Sequence, residues 1–111
     1  MAIAGVWYKA LSANGAGQDQ VTVPVQYSDF VTFSDKKPKT INATIALTGT
    51  GNDGNSGSSV SIVSYRTNDG ATEVPVNATC LFANNVSEVT FSITAGGGGW
   101  ATGLGIVYVY E

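Results

Sequence analysis

Val89-Thr90-Phe91-Ser92-Ile93-Thr94 places apolar and hydroxyl-bearing residues at strictly alternating positions. Successive side chains of an extended chain point to opposite faces, so this stretch reads as a strand with one face in a core and the other toward water. The same period recurs on both sides of it. Val21, Val23, Val25 and Tyr27 alternate with Gln20, Thr22, Pro24 and Gln26. Ile41, Ala43, Ile45 and Leu47 alternate with Asn42, Thr44, Ala46 and Thr48. Val74, Val76, Ala78, Cys80 and Phe82 share one face of a further run. No stretch carries the 3.6-residue period of a helix.

Turn chemistry falls between these runs. Asn14-Gly15-Ala16-Gly17 closes the first strand, Asn68-Asp69-Gly70 reads as a tight hairpin, and Asn84-Asn85 separates two strands. Asn, Asp and Gly tolerate the positive φ that such turns need. Gly49 to Ser59 is a longer polar loop, and Gly96 to Gly99 leads into Trp100. Pro24 and Pro75 fall inside strand patterns, which places them on edges or bulges because proline cannot donate to a ladder. The reading is all-β: one antiparallel β-sandwich of jelly-roll type over residues 1–111, with about seven strands.

The terminal strands differ from the rest. Ile3 to Leu11 and Trp100 to Tyr110 are apolar or aromatic on both faces. Leu104, Ile106, Tyr108 and Tyr110 share one side of the last strand, Val107 and Val109 the other. A two-sided apolar strand belongs inside a covered sheet or against another chain, and for a domain this small a subunit contact is expected.

Composition narrows the chemistry. The chain has no histidine and one cysteine; 43% of its residues are hydrophobic and 12% charged, for a net charge of −3. Five Lys and Arg make no broad basic face, so nucleic-acid binding is not expected. A hydrolytic triad lacks its usual base, and the carboxylates lie mostly at turns, Glu88 with no evident partner. Zinc lacks its usual donors. The Gly49–Ser59 loop offers oxygens to calcium but a single carboxylate, Asp53, so it reads as a solvated loop. No cofactor, metal site or enzymatic activity is expected. Cys80 lies in an apolar run and reads as a buried thiol. The N-terminal stretch lacks the basic and apolar regions of a signal peptide, and no apolar run has the length of a membrane helix. The sequons at Asn42, Asn77 and Asn85 read as an Asn/Thr-rich strand surface.

These features suit a repeated structural subunit held by its neighbours. The expectation is a virion protein, phage-like, made in the host cytoplasm, decorating or cementing a capsid as a homo-oligomer with trimeric or higher cyclic closure. Its contacts with itself and other virion subunits would use Trp7, Tyr8, Phe30, Phe33, Trp100, Tyr108 and Tyr110. The alternative is a small lectin-like module that binds glycan through loop residues Asn52, Asp53, Asn55, Asn68 and Asp69.

Overall fold

A computed structural model of the chain describes residues 3–25, 40–52, 57–67 and 72–110. They form eight strands: β1 (Ile3–Asn14), β2 (Gln18–Pro24), β3 (Thr40–Gly51), β4 (Ser59–Thr67), β5 (Glu73–Ala78), β6 (Cys80–Ala83), β7 (Val86–Thr94) and β8 (Trp100–Tyr110). The first sheet has the order β1-β8-β3-β6, the second β2-β7-β4-β5, and every described pairing is antiparallel.

This order is one long antiparallel ribbon coiled on itself. Strand β1 pairs with β8, β2 with β7, β3 with β6 and β4 with β5. Coiling then brings β8 against β3 and β7 against β4. That is the jelly roll, in which two packed sheets share one core.

The alternation read from the sequence decides the inner faces. Ile41, Ala43, Val89, Phe91, Ile93 and Val109 are fully buried between the sheets. Burying one such large side chain contributes about 1.5–3 kcal/mol relative to leaving it in water. On β8 the inward positions are small: Ala101, Gly103 and Gly105 precede Val107 and Val109. A Cβ at Gly105 would lie 2.9 Å from Phe91 Cδ2 and Cε2, and one at Gly103 would lie 3.2 Å from Ile93 Cδ1. The side chains of β7 therefore occupy the space that β8 leaves open.

Both prolines of the strand patterns are on edges. Pro24 ends β2 and Pro75 lies in β5, the two outer strands of the second sheet. The turn at Asn14–Gly17 closes with a hydrogen bond from Gly17 N–H to Asn14 C=O at 2.8 Å. Gly15 and Ala16 have φ near +60°, and a Cβ on Gly17 would meet Asn14 O at 2.7 Å. Strands β4 and β5 are the consecutive antiparallel pair that the Asn68-Asp69-Gly70 signal calls for; the turn residues themselves lie outside the described residues.

Three sequence readings are corrected: the strand count, the burial of Cys80 and the pairing of Glu88. The run from Val74 to Phe82 is two strands, which raises the count from seven to eight. Asn77 adopts φ +56°, breaking the pleat, and the carbonyl of Thr79 already accepts Ile45 N–H of the other sheet at 3.0 Å. The chain changes sheets there and its parity reverses. Val76, Leu81 and Ala83 pack against the core, whereas Cys80 and Phe82 are exposed. Cys80 is thus a surface thiol. Glu88 also has a partner: Arg66 Nε lies 3.1 Å from its carboxylate.

Substituting Gly105→Ala should lower unfolding stability in denaturant melts by about 1–3 kcal/mol, the usual cost of overpacking. Adding Phe91→Leu should recover part of that loss; equal stability of Gly105→Ala and the wild type would refute the packing account. Ala16→Gly should raise stability by roughly 0.5–1 kcal/mol, because only glycine adopts left-handed φ without steric cost.

Candidate functional site

The two sheets present different chemistry to the outside. On the second sheet, Thr22 Oγ1 and Thr90 Oγ1 are hydrogen-bonded at 2.9 Å, and Gln18 Nε2 donates to Ser92 Oγ at 2.9 Å. Farther along, Arg66 bridges two neighbouring strands, reaching Glu73 at 2.8 Å and Glu88 at 3.1 Å. These are cross-strand neighbours by register, Arg66 opposite both Glu73 and Glu88. Partly exposed pairs of this kind contribute little to stability. They make a surface that prefers water.

The first sheet does the opposite. Because Ala101, Gly103 and Gly105 fill the inward positions of β8, its large side chains alternate outward. Register places Leu104 between Ala10 and Ala46, Ile106 between Tyr8 and Thr44, and Tyr108 between Val6 and Asn42. Strand β6 extends the surface with Phe82 opposite Asn42 and Cys80 opposite Thr44. The rings of Phe82 and Tyr110 approach to 6.0 Å between centroids at 49°, reaching over β3 between them. Tyr8 is 65% exposed and Phe82 58%. Among the described residues this face carries no charged side chain.

At the far end of the face, Trp100 lies opposite Asn14 on β1 and Gly51 on β3. Its ring rests on the glycine backbone: a Cβ at Gly51 would fall 2.5 Å from Trp100 Cε2 and Nε1, and one at Gly49 would fall 3.4 Å from Cζ3. Thr48 Oγ1 and Thr102 Oγ1 are hydrogen-bonded beside it at 2.9 Å. Trp100 stays 39% exposed.

Of the aromatic residues singled out in the sequence, Tyr8, Trp100, Tyr108 and Tyr110 share this outer face. Trp7 is on the inner side of β1 and packs against the core. Phe30 and Phe33 lie outside the described residues. So do Asp53, Asn55, Asn68 and Asp69 of the loop set; Asn52 is exposed in the turn just after β3. The sequence reading missed Phe82, Cys80 and Ala46 as members of the face. Phe82 and Cys80 were hidden by the change of sheet at Thr79, which reverses the parity that periodicity relies on.

No protein-family model matches the chain, and no curated protein matches its sequence.

Exposure of Cys80 has a direct test. Its thiol should react stoichiometrically with a small disulfide or maleimide reagent in native buffer, with no need for denaturant. Reaction seen only after unfolding would place the thiol inside.

Proposed function

We propose that this protein is a non-enzymatic structural subunit of a virion, phage-like, that decorates or cements a capsid through contacts on the outer face of its first sheet. One observation carries the reading: among the described residues an uncharged surface crosses the first sheet, with Leu104, Ile106, Tyr108 and Tyr110 on β8, Tyr8 on β1, Phe82 on β6 and the smaller Asn42, Thr44 and Ala46 on β3. Isolated apolar side chains on a surface call for no explanation, but a contiguous set does. Aromatic residues surrounded by small polar ones, with charge excluded, are the composition of an interface centre.

The absence of charge favours a second copy as the first partner. A face bearing charges of one sign repels its own copy, whereas a neutral one meets it without that cost. Closed homo-oligomers bury such faces on every subunit at once. The jelly roll is used in viral capsid domains and in lectins alike. Architecture therefore agrees with the reading without selecting it.

A second reading rests on Trp100. A ring backed by Gly49 and Gly51, with the Thr48–Thr102 hydroxyl pair and Asn14 beside it, has the parts of a sugar-stacking platform: a flat apolar surface and short polar side chains around it.

Sedimentation of the purified protein at micromolar concentration tests the first reading. The wild type should sediment as an oligomer. Ile106→Glu, which puts a carboxylate at the centre of the face, should sediment as a folded monomer with unchanged circular dichroism. A monomeric wild type, or an oligomeric Ile106→Glu variant, would defeat the proposal. Saturable glycan binding lost in Trp100→Ala, with the sedimentation coefficient unchanged, would establish the second reading instead.

A further inference from the structure

A separate feature lies on the open side of the sandwich, where β1 and β2 are the edge strands of the two sheets. Near the turn these edges are tied together: Ser12 N–H reaches Asp19 Oδ2 at 3.3 Å. Farther from the turn they part into a cleft of about 430 Å³ lined by Trp7, Lys9, Val21, Val23 and Pro24, with Tyr8 and Thr22 at its sides. That volume falls within the range of small-molecule sites, roughly 300–1,000 Å³. Trp7, Val21 and Val23 belong to the core or pack against it, so the floor is apolar and supported from behind.

Lys9 is the anomaly. It pairs with Gly105 and has the inward parity of Trp7 and Leu11. The position is nevertheless exposed, so the ammonium group sits at the open edge and not in the core. Among the described ion pairs, none uses Lys9. The hydroxyl of Thr22 is already engaged with Thr90. The cleft thus combines an apolar floor with one ammonium group that is not neutralised by a described carboxylate. A cation beside apolar surface recognises an anion attached to an apolar body.

Pro24 narrows the class further. A peptide docking by strand addition needs a run of backbone donors along an edge, and Pro24 interrupts that run on the β2 side of the cleft. We propose that the cleft binds a small organic acid, with its aromatic or branched apolar body on Trp7, Val21 and Val23 and its carboxylate paired with Lys9.

Titration with 4-phenylbutyrate, followed by amide and indole chemical shifts, tests this on the intact protein. Its neutral analogue 4-phenylbutanol is the control. The acid should give saturable shifts at the Trp7 indole N–H and at Lys9 and Thr22. Lys9→Gln should weaken it by about two- to fivefold, the scale of one exposed ion pair, while Lys9→Arg retains binding. The alcohol should bind the wild type about two- to fivefold more weakly and show no response to Lys9→Gln. Lys9 is exposed, so its substitution leaves the core intact, and unchanged amide dispersion verifies this. The proposal is overturned by absence of saturable binding, by equal affinity for acid and alcohol, by an unaffected Lys9→Gln variant, or by shifts confined to the outer face of the first sheet.

Discussion

The ring of Phe91 lying against Gly105 holds the two sheets in register. Strands β7 and β8 are interior strands of the two sheets, and their inner faces are complementary in size. Phe91 and Ile93 project from one, while Gly103 and Gly105 recede on the other. Interiors are packed to crystal-like density, so a bulky residue on one layer requires a small one facing it. The consequence reaches the outside. With glycine and alanine facing inward, the larger side chains of the first half of β8 face outward. The apolar exterior of the first sheet and the tight interior are two aspects of one alternating pattern.

Much of the fold is legible from that pattern. Val89, Phe91 and Ile93 alternate without interruption in the sequence and are fully buried in the structure. Pro24 and Pro75 point to edges or bulges because a missing donor cannot serve an interior ladder, and both lie on edge strands. Asn14-Gly15-Ala16-Gly17 forms its turn because positive φ is needed at two successive positions. The reading failed where parity was broken by backbone conformation. Asn77 at φ +56° and the crossing at Thr79 carry no apolar signature, so β5 and β6 read as one strand and Cys80 as buried. The Arg66 pairing with Glu88 depends on β4 lying beside β7, a relation that spacing along the chain does not encode.

The candidate surface was legible in part, for the same reason. Leu104, Ile106, Tyr108 and Tyr110 share a side of one strand and can be found from period alone. That Phe82 joins them across β3, and that Trp7 does not, follows from strand order and bulges. The contrast between the sheets was not readable at all before the strands were assigned to sheets. Hydroxyl and charged residues cover one exterior, and aromatic residues cover the other. The fold thereby separates a solvated side from a side suited to contact, with a cleft bearing a single cation on the open edge between them.

The coiled ribbon also ranks its strand pairings by the length of chain each one closes. Among the described strands, β4 and β5 are the sole neighbours in both chain and sheet, each pairing outward from that hairpin spans a longer loop, and β1–β8 spans the longest. Loop-closure entropy and high contact order make such a pairing slow and late. The aromatic exterior of the first sheet has β8 between β1 and β3. That exterior is therefore complete only once this longest-range pairing has formed.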